Sequence, residues 1–78
     1  MEKLIRYVAD SLVEHGDRLR IEKRDEGGEL SYTLLLHPDD LGRMIGRHGK
    51  TAEALRVLLS LAGQKENRRI FLRIRELD

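Results

Sequence analysis

The chain has 78 residues, 37% of them charged, yet 15 Lys and Arg against 14 Asp and Glu leave a formal net charge of only +1. That excludes a polycation, so affinity for nucleic acid would have to come from charge gathered locally. The absence of cysteine excludes a disulfide framework and a thiolate metal site and fits a reducing cytosol, and a chain this short is expected to build one thin core in a single domain, residues 1–78.

Met1–Arg6 is charged, with no unbroken apolar stretch, and reads as neither a signal peptide nor a membrane span. Leu4, Ile5, Val8, Ala9 and Leu12 recur at helical spacing and predict an amphipathic helix from Glu2 to about His15. Gly16 is placed to stop that helix, with His15 in its last turn. Leu19 and Ile21 alternate with Arg18, Arg20 and Glu22 in a first strand. Glu26-Gly27-Gly28-Glu29 is a hairpin turn, because Gly-Gly tolerates positive φ, and its acidity would repel a polyanion. Leu30, Tyr32, Leu34 and Leu36 alternate in a second strand, antiparallel to the first.

Pro38 suits the first position of a short helix whose apolar side is Leu41, Met44 and Ile45, with Asp39 and Asp40 in its first turn. A further helix from about Lys50 to Gly63 carries Ala52, Leu55, Leu58, Leu59 and Ala62 at helical spacing. After the polar Gln64–Asn67 connection, Ile70, Leu72 and Ile74 alternate with Arg69, Phe71, Arg73 and Arg75 in a last strand. Each element is apolar on one side. Both layers are buried most simply in an α+β two-layer sandwich, three helices on one face of a three-stranded mixed sheet. The last strand, returning after two helices, is expected parallel to the second.

The segment Ile45-Gly46-Arg47-His48-Gly49-Lys50 carries the chemistry. Gly46 and Gly49 lack Cβ atoms and permit close approach by another backbone. A helix starting beside them offers unpaired N–H groups, and Arg47, His48 and Lys50 add positive charge. This suits a phosphate, while the absence of a GxxxxGK[ST] string argues against a nucleotide-hydrolysing loop. Two glycines three apart arise roughly 0.6 times by chance at this glycine content, so the weight lies in the order of elements around them.

That order resembles a KH domain of the bacterial, type II arrangement (α-β-β-α-α-β), from Glu2 to about Arg75. Leu41–Lys50 matches the I-G-x-x-G core of that family, and Gln64–Arg69, the size and the element order are similar to the small stand-alone bacterial KH proteins called KhpA or YlqC-like. The resemblance implies binding of single-stranded RNA, the glycine loop clamping a stretch of about four nucleotides. On these residues it implies that Gly46 and Gly49 admit phosphates and that Arg47 and His48 touch phosphate or sugar. Ile45, with Leu41, Leu34 and Leu36, would floor the groove, and Arg43 and Lys50 would flank it. It also implies a homodimer, or a heterodimer with a larger multidomain KH protein of the KhpB (Jag) type, and a cytoplasmic role in post-transcriptional regulation or RNA chaperoning linked to cell elongation. Neither cofactor nor membrane is implied.

Competing readings are weaker. The aromatics are Tyr7, Tyr32 and Phe71 alone, too few for an aromatic stacking platform. No cysteine or convincing nucleophile–base pair supports an enzyme. His48 has no second His or Cys at ligand spacing, so no metal site is expected, and His15 and His37 read as surface or cap residues. Gly42 reads as a close-packing position or a helix break. Arg68, Arg69, Arg73 and Arg75 read as a solvated outer sheet face opposite acids such as Glu22, rather than as an RNA track. Phe71, if turned away from the helices, is a candidate partner contact. The alternative function is a dimerisation adaptor with weak or no RNA binding.

Overall fold

The computed structural model describes residues 2–46 and 49–77. In chain order it contains α1 (Glu2–Leu12), a 3-10 turn (Gly16–Arg18), β1 (Arg20–Glu26), β2 (Glu29–Leu36), α2 (Pro38–Ile45), α3 (Gly49–Lys65) and β3 (Arg69–Glu76). The sheet order is β1-β2-β3, with β1 antiparallel and β3 parallel to β2, the mixed sheet the sequence implies. This is the α+β arrangement of a type II KH fold.

The central strand supplies the core. Leu30, Tyr32, Leu34 and Leu36 of β2 all face the helices and are buried, joined by Ile70 and Leu72 of β3. Against them pack Ile5 and Ala9 of α1, Met44 of α2, and Ala52, Leu55 and Leu59 of α3. Each fully buried Leu or Ile contributes about 1.5–3 kcal/mol relative to exposure, which is how so small a core holds. Gly27 takes φ 73° in the two-residue hairpin loop, as its position required. The loop is tied to the start of β3: Arg68 pairs with Asp25 and donates from Nε to the Gly27 carbonyl oxygen at 3.1 Å, and Arg69 N–H donates to the Gly28 carbonyl oxygen at 3.0 Å. Arg68 is therefore a clamp within the fold.

Two helix ends differ from the sequence reading. The first helix stops at Leu12, short of His15, and Gly16 instead opens the 3-10 turn. The cause is tertiary. After Val13 N–H donates to the Ala9 carbonyl oxygen, the N–H groups of Glu14 and His15 turn to the Asp40 carboxylate, at 2.9 and 3.0 Å. Asp40 is only 1% exposed. Arg43, one turn on in α2, adds a 2.7 Å ion pair to Glu14. The other difference is α3, which runs through Gly63 to Lys65. It closes in a Schellman motif, with Asn67 at φ 58°, Asn67 N–H on the Gln64 carbonyl oxygen and Arg68 N–H on that of Gly63. Gly63 is there for packing: a Cβ would stand 2.4 Å from the Arg68 carbonyl oxygen.

Burial by itself pushes the Asp40 carboxyl up, but the backbone donors Glu14 and His15, with the His15 and Arg43 charges, outweigh it and hold it below the ordinary carboxylate value. Its folded pKa thus lies below its unfolded one of about 3.9. The stability it contributes is full above that value and is lost as pH falls through the folded pKa. Asp40→Ala should leave two N–H groups unpaired, cost about 1–3 kcal/mol at neutral pH, and flatten the acid limb below about pH 4, read by urea denaturation across pH.

Candidate nucleic-acid interface

An open groove of about 510 Å³ lies where the end of α2, the start of α3 and β3 meet. Met44, Ile45 and Gly46 form the α2 side. Gly49, Ala52, Glu53 and Arg56 form the α3 side at i, i+3, i+4, i+7 spacing, with Lys50 at the mouth, and Ile74 is the β3 wall. Its aliphatic walls are the exposed Ile45 and the half-buried Ile74, over the buried Met44 and Ala52, and Lys50, Glu53 and Arg56 put charge in the lining. Ile45 is 65% exposed, an exposure that places it in the groove rather than in the core.

Gly46 caps α2, its N–H donating to the Gly42 carbonyl oxygen at 2.9 Å, so this amide is already used. The corner's other described donors are the first N–H groups of α3, from Gly49 onward, which a helix leaves without intrahelical acceptors. A Cβ at Gly49 would meet nothing within 4 Å. Lys50 is exposed beside it. Arg56 donates from Nε to the Leu72 carbonyl oxygen at 3.3 Å, which holds its charge at the β3 wall. Arg47 and His48, the variable pair of the motif, lie outside the described residues.

Ile45, Gly46, Gly49 and Lys50 are therefore brought together. Arg43 is not: it is drawn to Glu14 and does not line the groove. Its hydrogen bond holds Glu14 below the ordinary carboxylate value. Leu34 and Leu36 do not floor the groove either, since each is 1% exposed beneath the helices, and Leu41 packs half-buried on the core. The strand lining the groove is the edge strand, through Ile74. Arg56, Glu53 and Ala52 were readable from their spacing after Gly49. Ile74 was not, because its place depends on strand order. Gly42 is neither a break nor a packing contact, for α2 continues past it and a Cβ there would meet nothing within 4 Å. The acidic hairpin sits at the Arg69 end of β3, away from Ile74.

The fold also brings together His15, His37 and Asp39, whose ligand atoms lie within 4.8 Å of one another. His37 caps α2, its Nδ1 accepting from Asp39 N–H at 3.2 Å. The His15 and His37 rings stack at 4.1 Å between centroids with 25° between planes. The observed hydrogen bond and ring contact account for these side chains as cap and stack.

A family model described as KhpA/KhpB, KH domain, matches residues 2–74. The chain is 42% identical over 74 residues to a protein of Halalkalibacterium halodurans named RNA-binding protein KhpA, covering 95% of this chain and 97% of that one. Proteins of the same name from Oceanobacillus iheyensis (36% over 74 residues, 95% and 99% covered) and Bacillus subtilis (30% over 70 residues, 90% and 86% covered) are also similar. No solved structure matches.

The two glycines of α3 should respond oppositely to alanine. Gly49→Ala, with open space for the methyl, should be neutral or raise stability by up to about 1 kcal/mol. Gly63→Ala, forced against the Arg68 carbonyl oxygen, should lower it by about 1–3 kcal/mol in the same thermal denaturation series.

Proposed function

We propose, since the chain belongs to the KhpA/KhpB family of KH domains, a family of RNA-binding proteins and not of enzymes, that it binds single-stranded RNA in the groove between α2, α3 and β3. The observation carrying this reading is the aliphatic floor that opens beside the N-terminus of α3. Phosphates are held by the free N–H groups of the first turn of α3, by Lys50, and by Arg47 and His48 of the motif, while Gly46 and Gly49 let the sugar–phosphate chain come close. Bases lie on Ile45 and Ile74, above the buried Met44 and Ala52. Arg56 supplies charge at the β3 wall, and Glu53 discourages a second phosphate at the centre of the groove. Readout of bases by such a surface is shallow, so specificity is low and affinity comes chiefly from the backbone.

One such groove binds modestly, and a second RNA-binding domain raises the effective concentration. We propose a homodimer, or a heterodimer with a larger KhpB (Jag)-type KH protein. What supports it is α3. Leu58, placed in the core by its spacing, is 53% exposed, and with Val57 (59%) and Leu61 (55%) it forms an apolar stripe on solvent, continued by Ala54. A cytoplasmic role in post-transcriptional regulation or RNA chaperoning, acting on cell elongation, is proposed on family likeness; no helix among the described residues is long and apolar enough to cross a membrane. The second reading, a dimerisation adaptor without RNA affinity, draws on the same stripe.

Arg47→Asp with His48→Asp should abolish binding of mixed single-stranded RNA in a gel shift without changing the circular dichroism melt. A folded double variant with undiminished affinity would remove the loop as the site. The wild-type log–log salt slope should be roughly −2 to −3, at about −0.7 per phosphate contact. Leu58→Asp should shift the protein toward monomer in light scattering and leave the fold intact. A stable wild-type dimer with no RNA affinity would favour the adaptor.

A further inference from the structure

β3 is an edge strand, and its two faces do different things. Ile74 points to the groove. The residues on either side of it, Arg73 and Arg75, are exposed on the opposite, helix-free face of the sheet. Only the thickness of one strand separates them from the groove floor. Among the described residues no strand lies beyond β3, and Arg56 Nε donates to the Leu72 carbonyl oxygen.

Some of the other cations are held in ion pairs. Arg68 is held by Asp25 and Arg24 by Glu26, and Arg43 beyond the sheet by Glu14. Arg69 stands in register with Glu29, which is itself opposite Glu26. Arg73 and Arg75 stand beside Thr33 and Leu35 of β2, and neither makes an ion pair among the described residues. Glu22 faces Arg73 only across Thr33, two strand spacings or about 10 Å away. Glu22, Glu26 and Glu29 share a shallow cleft with Lys23, Arg24 and Arg73, and Asp17, Glu22 and Glu76 mix with Arg18 and Arg20 beside Leu35, so positive and negative charge alternate over the open sheet face and Arg73 and Arg75 put two cations on the β3 edge itself. Arg73, Arg75 and the half-exposed Phe71 recur every second residue, about 6.6 Å apart, a repeat that an extended polyanion can follow.

We infer that an RNA strand longer than the groove leaves it over the β3 edge and is held on the open sheet face by Arg73 and Arg75, with Phe71 available to stack a base. The inference rests on the groove reading above. Its occupant follows from continuity with that groove and from the two cations on the β3 edge. The arginines read from sequence as solvated thereby divide, Arg68 and Arg69 serving the fold and Arg73 and Arg75 serving the ligand.

The test compares an RNA of about four nucleotides, the length one KH groove holds, with one about three times longer, on wild type and on the Arg73→Ala/Arg75→Ala variant. The variant should bind the longer strand roughly tenfold more weakly, with a salt slope shallower by about 1.4 for two lost contacts. Its affinity for the short strand should be unchanged. Phe71→Ala should weaken only the longer strand as well. Equal loss at both lengths, no loss at either, or a change of oligomeric state in place of a change in affinity would overturn the inference, the last by making the face a contact for a second copy. Failure of wild type to bind the short strand would sink the groove reading instead, and the salt slope on the longer strand would still decide the β3 track.

Discussion

A single buried carboxylate sets the geometry on which the groove depends. Asp40 sits in the first turn of α2, almost wholly out of water, and each of its oxygens accepts a backbone N–H from the segment after α1. A charged group in such a place is costly unless every lone pair is met. Here the cost of burial is offset by two oriented donors and by the positive charge of Arg43. The result is that α2 cannot slide or rotate without breaking both bonds. Because α2 is only eight residues long, holding its first turn also fixes where its last turn, Met44 to Gly46, meets α3.

The groove follows from two ends being near one another. α2 finishes with an amide already satisfied on Gly42, and α3 begins with amides that have no internal partner. The corner is therefore asymmetric, with its positive potential belonging to α3. Next to it lies an aliphatic strip too shallow to enclose a base and lacking aromatic rings. On the proposed reading, such a surface rewards any base that lies flat and asks little of its identity, whereas the phosphates meet directed donors. The small net charge of the molecule is no obstacle to the proposed reading, since Lys50 and Arg56 bring positive charge to the groove locally.

Much of this was legible in the residues, because β2 alternates cleanly, Pro38 and Gly27 occupy positions that suit few other residues, and the glycine loop falls between two helical patterns. What escaped the sequence was decided at a distance. The end of α1 depends on a carboxylate 25 residues away from His15. Gly63 looks like a stop signal but is a gap left for the Arg68 carbonyl, and the true stop is the left-handed Asn67. Leu58 shares its spacing with core residues, yet α3 is apolar around most of its circumference, and periodicity alone cannot say which side faces the sheet. Ile74 entered the site only once the strand order put β3 at the edge.

The parallel pairing of β3 with β2 also has a kinetic meaning. The β1–β2 hairpin closes through a two-residue loop, a local event on the microsecond scale. β3 must find β2 across both α2 and α3, a non-local closure that carries the larger entropic penalty and forms more slowly. On the ribosome β3 is also synthesised after every element it joins. The nascent chain can thus hold its hairpin before it has Ile74, and the groove proposed for RNA is complete only when the strand synthesised last has docked.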